Sequence, residues 1–224
     1  MNASNKTKVS QKVKDAIEEM IFSKMHAGDK LPTEGELAEM LAVSRTTVRE
    51  AIKGLEASKI VEKRNGGTYI VEKVRGCFVD PLCIMIQLNT IKQSEIMSVR
   101  ILLETEAAGA AAANAEPEQI KEMENIVWLM RKPGIQIEEY IDLDVKFHFL
   151  IAKASANQML YQLIRDISTV IVKFYPRCCT LEVAENIAIP QLARVVNAIK
   201  SRDTKAARTS MRQHLQECDE IIRN

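Results

Sequence analysis

Asp144 and His148 stand four residues apart in DVKFH, the spacing that puts two side chains on one face of a helix. A carboxylate and an imidazole held together suit a hard or borderline divalent metal. The same i, i+4 pair also serves as a plain hydrogen bond along a helix. The chain has three histidines. His26 falls in an amino-terminal turn, which leaves His214, in MRQHL, as the other imidazole for such a site. A second constellation is cationic. In LAVSRTTVREAIKGLEASKIV, Arg45, Arg49 and Lys53 recur at four-residue steps with Thr46 beside them, and Val48, Ala51, Ile52 and Leu55 mark the opposite side. Arg45, Thr46 and Thr47 fill the first turn, the part of a recognition helix that reaches base edges and whose free N–H groups favour phosphate. The alternative is a set of solvated charges on an ordinary three-helix domain.

The elements that must position these residues are mostly helices. The 224-residue chain is 46% apolar and 27% charged, with 4% aromatic residues, which excludes a disordered chain and allows one or two domains. In the amino-terminal third, Val13, Ile17, Met20 and Ile21 recur at helical spacing from Val9 until His26-Ala-Gly-Asp29 stops them. In LPTEGELAEML, Thr33 and Glu36 form a capping box for a second helix ending near Leu41. Ala42 and Val43 make a tight turn, and Ser44 caps a third helix running to about Ser58. Two short helices about such a turn predict a helix-turn-helix. Ile60 and Val61 then open a β-prone run, Asn65-Gly-Gly67 turns it, and Thr68 to Val71 runs back, which predicts a hairpin wing with Lys63 and Arg64 near its tip.

Lys73 to Asp80 reads as a linker. Beyond it the spacing predicts helices near 81–89, 94–114, 117–131, 137–155, 158–175, 182–201 and 204–222, the fifth ended by Pro176. The expected architecture is therefore mainly α. Residues 1–75 form a winged helix-turn-helix with a small β-hairpin, and residues 76–224 form an all-α helical bundle. Charge divides the same way: residues 1–75 hold 14 Lys+Arg against 11 Asp+Glu, leaving 17 against 19 for the rest. That surplus permits a nucleic-acid partner. Cys77, Cys83, Cys178, Cys179 and Cys218 contain no C-x-x-C pair and read as reduced packing residues, with redox sensing by Cys178 and Cys179 as the alternative. The chain has no G-x-S-x-G elbow, G-x-x-x-x-G-K-[ST] loop or G-x-G-x-x-G turn. No apolar run nears the roughly 20 residues of a membrane span, and the start lacks a secretory signal, so a cytoplasmic protein is expected.

The stretch LPTEGELAEMLAVSRTTVREAIKGLEASKIVEKRNGGTYIV resembles the winged helix-turn-helix of the GntR family of bacterial transcription regulators, over residues 10 to 72. The resemblance implies operator contacts at Arg45, Thr47, Arg49 and the wing glycine Gly67. It departs at Gly35, where the family commonly has an arginine that helps read the operator. From about Pro81 to Leu215, through VRILLETEAAGAAAANA, DLDVKFHFLIAKASANQML, VVNAIKSRD and MRQHL, the chain resembles the FCD effector domain, the partner of this winged helix in the FadR subfamily. Many FCD domains hold a divalent metal such as zinc, nickel or manganese with one aspartate and three histidines, and the metal helps position an organic acid. Asp144, His148 and His214 match three of those positions, and Leu192 stands at the fourth. Either three protein ligands are completed by water or an effector carboxylate, or the site is metal-free. Arg100, in VRILLE, is the main candidate partner for an effector carboxylate, its alternative being an ion pair with Glu104 one turn on. Asn157 and Arg177 are further candidates, their alternatives being a helix cap and a solvated charge.

The expected function is a ligand-responsive transcription regulator, a repressor by the commoner sign in the family. A homodimer binds a palindromic operator and a small organic acid in the bundle alters that binding. Two alternatives belong to other classes. One is a metal-dependent enzyme using Asp144, His148 and His214 as a two-histidine, one-carboxylate set. The other is an effector-independent DNA-binding protein.

Overall fold

The computed structural model describes residues 3–72, 78–174 and 180–223. Arg177, Cys77, Cys178, Cys179 and Pro176 lie outside the described residues. The chain divides into two compact units, Met1–Arg75 and Gly76–Asn224.

The first unit contains α1 (Ala3–Lys24), α2 (Glu34–Met40), α3 (Arg45–Ala57), β1 (Val61–Arg64) and β2 (Gly67–Ile70). α1 starts six residues before the expected Val9, because Ala3 to Lys8 offer no apolar signal yet tolerate a helix. The capping box at Thr33 forms in full: Glu36 N–H donates to the Thr33 hydroxyl at 3.3 Å, and Thr33 N–H donates to the Glu36 carboxylate at 2.7 Å. Ala42, at φ +53°, makes the turn, and Ser44 Oγ accepts from Thr47 N–H at 3.2 Å to start α3. Val48, Ala51, Ile52 and Leu55 are all buried and meet Val13, Ile17 and Ile21 of α1 and Leu37 of α2. Burial of each large apolar side chain contributes about 1.5–3 kcal/mol, so this face holds α3 more firmly than its caps do.

β1 and β2 pair antiparallel with Val61 opposite Ile70 and Arg64 opposite Gly67. The turn is therefore Asn65-Gly66 alone, and Gly67 is the first residue of β2, one residue tighter than the sequence spacing suggests. A third backbone segment joins the sheet. Leu31 N–H donates to Thr68 O and Ile70 N–H to Asp29 O, each at 2.8 Å, around a bridge between Lys30 and Tyr69. This pairing fixes the base of the wing to the start of α2.

The second unit is helical among its described residues: α4 (Val79–Gln87), α5 (Gln93–Asn114), α6 (Pro117–Met130), α7 (Ile137–Ala154), α8 (Gln158–Phe174), α9 (Leu181–Val183), α10 (Ile189–Lys200) and α11 (Thr204–Arg223). The single helix expected over 182–201 is instead α9, a π-helical turn at Ala184–Ala188, and α10. Pro190 has no N–H to donate and its ring crowds the preceding turn, and the wider π turn relieves that crowding. α5 carries a run of small residues, and Ala107, Ala108, Ala111 and Ala112 are fully buried against the rest of the core. Gly109 lets Arg208 of α11 cross the helix to reach Glu106 at 3.1 Å; a Cβ at Gly109 would lie 2.6 Å from that guanidinium. Close approach of α5 and α11 is what brings the polar residues of both helices to the middle of the bundle.

Candidate functional site

Four helices of the second unit deliver the polar cluster in their core. α7 supplies Asp144 and His148, and α11 supplies His214. One ligand atom from each of these three lies within 4.8 Å of the others. The imidazoles are stacked, with centroids 5.5 Å apart and planes 20° from parallel. His148 Nε2 lies 3.7 Å from Asp144 Oδ1, too long for a hydrogen bond, and this buried nitrogen makes none.

The other nitrogen of each ring is held. His148 Nδ1–H donates to Glu104 Oε2, and Arg100 Nε donates to Glu104 Oε1 at 2.6 Å. His214 Nδ1–H donates to Gln191 Oε1 at 3.0 Å, and Gln191 in turn donates to Glu217. With both Nδ1 atoms engaged as donors, Nε2 is the nitrogen of each ring left for a ligand, and holding a metal would require His148 to give up its Nε2 proton. A hydrogen bond at the second nitrogen fixes the tautomer and orientation of a metal-binding histidine. The residues present therefore fit a divalent ion: two imidazole nitrogens and one carboxylate converge, and the partners that aim them are in place.

Electrostatics set the resting state. Burial opposes the Glu104 carboxylate, but Arg100 and His148 outweigh it and hold its pKa at about 2. Burial likewise opposes the His148 imidazolium, which Glu104 and Asp144 sustain up to about 9. His214 is pushed down to about 3 by burial and by the charge on His148 beside it. Asp144 lies below the usual carboxylate range because of His148, against the effect of burial. Without a metal, His148 is thus the charged ring and His214 the neutral one, because a second positive charge on the stacked neighbour is disfavoured.

Of the remaining candidates, Arg100 forms the ion pair with Glu104, and its terminal nitrogens make no hydrogen bond among the described residues. Asn157 caps α8, its Oδ1 accepting from Met159 and Leu160 N–H at 3.0 and 3.1 Å. Leu192 is fully buried on α10, and its neighbour Gln191, not Leu192, makes the polar contact to His214. Sequence reasoning missed Gln191 altogether and treated Glu104 only as an ion-pair partner. Glu104 lies one turn beyond Arg100 on α5, but nothing in the local pattern says that its second oxygen meets a histidine 44 residues away.

In the first unit, Arg45, Thr46, Arg49 and Lys53 are exposed on α3, and Thr47 is half-buried with its hydroxyl 2.8 Å from that of Ser44. Arg64 and Lys63 are exposed on β1. Arg64 pairs with Glu62 and Glu72 and lies 5.4 Å from the Tyr69 ring centroid, and Lys63 lies 3.4 Å from Glu56. Lys30, which the sequence did not single out, crosses the wing. A Cβ on Gly67 would come within 2.5 Å of its Cε, and Gly67 also sits at φ +156°. Lys30, Lys63 and Arg64 border one concavity of about 300 Å³ with Gly67 and Thr68. Three cations at the wing, Lys30, Lys63 and Arg64, beside an exposed, arginine-bearing helix are what a duplex-binding module presents.

A winged helix-turn-helix followed by a helical bundle with a buried polar site defines a DNA-binding regulator with its own sensing domain. Residues 9–71 match the model of bacterial regulatory proteins of the gntR family, and residues 95–217 match that of the FCD domain. The chain belongs to this family, as a GntR-type transcription regulator with an FCD effector-binding domain. It is 29% identical over 217 residues to a Uxu operon regulator of Haemophilus influenzae, spanning 94% of this chain and 79% of that protein. It is also 29% identical over 220 residues to a putative L-lactate dehydrogenase operon regulatory protein of Escherichia coli, spanning 93% and 84%. Among solved structures, a GntR protein of Streptococcus agalactiae superposes with a TM-score of 0.67 at 26% identity, covering 93% of this chain and 97% of that one. Among the described residues no helix is long and apolar enough to cross a membrane.

Proposed function

We propose that this regulator is a homodimeric repressor in which Asp144, His148 and His214 hold a divalent metal and, with Arg100, receive a small organic acid. Operator duplex is read by Arg45, Thr46, Thr47 and Arg49, and Lys53, Arg64 and Gly67 serve the backbone and the wing. The dimer forms through the bundle, because one short recognition helix reads few base pairs and a two-fold operator doubles that information. The observation that carries the metal reading is the buried His148 Nε2, which has no hydrogen-bond partner yet lies with Asp144 and His214 in one cluster. A buried nitrogen left without a partner costs about 1–3 kcal/mol, which a ligand at that point removes.

The bound metal supplies a Lewis-acidic centre for a carboxylate oxygen. The protein's own residues do the rest. Glu104 and Gln191 hold the two rings in orientation, and Arg100 offers terminal N–H groups to the acid. Charge favours that ligand: with a divalent ion, two carboxylates and one guanidinium, the site carries one net positive charge. Leucine at position 192 leaves a ligand position to be completed by water or by the acid itself, so metal and acid should bind cooperatively.

The test is calorimetry on the full-length protein with L-lactate, the acid that one relative's name points to, together with other short hydroxy acids, sugar acids and dicarboxylates. Acid binding that is lost after chelation and restored by zinc supports the reading. Binding that persists without metal would assign the acid to Arg100 and the histidines alone. Turnover of the bound acid would instead establish an enzyme. Light scattering on the full-length chain and on residues 76–224 tests the dimer, and a monomeric bundle would move the interface to the winged helices.

A further inference from the structure

Glu34 opens α2, Arg49 lies on α3, and the two meet as a fork. Arg49 Nε and Nη2 donate to Glu34 Oε2 at 3.1 and 2.9 Å, with Nε 3.4 Å from Oε1. The other cations beside them are held differently. Lys53 and Lys63 each make one contact, to Glu50 and Glu56, and a compact ammonium on a flexible stem leaves such a partner readily. The Arg49 side chain remains 58% exposed, so the fork fixes its direction without covering it.

A guanidinium has two donor edges. Glu34 fills the edge formed by Nε and Nη2, and Nη1, on the second edge, makes no hydrogen bond among the described residues. Two parallel N–H groups match O6 and N7 of guanine in the major groove. An arginine without such a brace also takes phosphate, which carries no sequence information. A carboxylate beside it repels phosphate and makes that use unfavourable. The brace is itself well fixed, because the Thr33–Glu36 capping box anchors the turn that carries Glu34. Gly35, the next residue, gives Arg45 room to lie on the same turn; a Cβ there would be 3.1 Å from Arg45 Nη2.

We propose that Glu34 is a specificity-determining positioning residue, which presents Arg49 edge-on to a guanine of each operator half-site and discourages its use on phosphate. The inference rests on the reading of α3 as the operator-facing helix.

The experiment uses full-length wild type, Glu34→Gln, Glu34→Ala and Arg49→Ala. Each protein selects from a pool of random-sequence duplexes, and anisotropy titrations then compare the wild-type-selected duplex with an unrelated one of equal length. Glu34→Ala is expected to lower the ratio of the two affinities about tenfold, within the range of one bidentate base contact. The lost preference should fall on the same base pair that Arg49→Ala relaxes. Binding to the unrelated duplex should stay equal or tighten, and Glu34→Gln, which keeps an acceptor without the charge, should retain part of the preference. Unchanged base preference in Glu34→Ala would overturn the proposal. So would an equal loss on both duplexes with a lowered melting temperature, since that marks a structural role only. If wild type selects no sequence, or Arg49→Ala keeps full selectivity, the operator-facing reading of α3 itself fails, independently of the Glu34 variants.

Discussion

Removing the Glu104 carboxylate tests the bundle site most directly, because this one side chain holds both Arg100 and His148. It is 1% exposed and accepts from Arg100 Nε at 2.6 Å and from His148 Nδ1. Each charge-assisted hydrogen bond contributes roughly 1.5–3 kcal/mol, and truncating one partner of a buried pair costs about 3–5 kcal/mol because the other charge is left unpaired. Glu104→Ala should therefore destabilise the second unit by about 3–5 kcal/mol. For a domain of this size that corresponds to a fall of roughly 6–20 °C in its calorimetric midpoint. Glu104→Gln keeps the volume and one acceptor, so it separates stability from orientation. Its milder loss of stability should accompany a 10–100-fold weaker zinc affinity, the usual effect of removing a partner that orients a histidine ligand. Zinc affinity is read by competition against a chromophoric chelator, and unfolding by scanning calorimetry on the same sample. A Glu104→Gln protein that binds zinc as tightly as wild type would refute the orienting role, and a Glu104→Ala protein of wild-type stability would refute the buried ion pair.

Leu192→His should add a third imidazole, and so a fourth ligand, to the cluster of Asp144, His148 and His214. It should slow zinc loss to chelator while lowering metal-free stability by about 1–3 kcal/mol, because an unpaired ring nitrogen replaces a fully buried apolar side chain. Lys30→Ala should weaken binding to specific and unrelated duplexes alike and reduce the salt slope by about one, the mark of a phosphate contact, when affinity is titrated at several salt concentrations. Thr33→Ala removes the hydroxyl of the capping box and should cost the first unit about 1 kcal/mol in chemical denaturation.

Sequence alone determined the parts of this protein that local rules govern. Thr33 and Glu36 cap α2, Ser44 caps α3, and Arg45, Arg49 and Lys53 share the side opposite Val48, Ile52 and Leu55 because a helix repeats every 3.6 residues. The helices of the bundle were legible for the same reason, apart from the π turn at Ala184–Ala188, which depends on how the chain accommodates Pro190. Asp144 and His148 were paired by spacing, but His214 joined them only by resemblance and by the scarcity of histidines. Tertiary structure decided the partners: Glu104 for His148, Gln191 for His214, Glu34 for Arg49 and Lys30 for Gly67. None of these is set by periodicity, since each joins segments that meet only when the core closes. The chain carries 30 acidic residues, and which carboxylate reaches which cation is fixed by the packing of helices whose apolar faces say nothing about the polar atoms carried beside them.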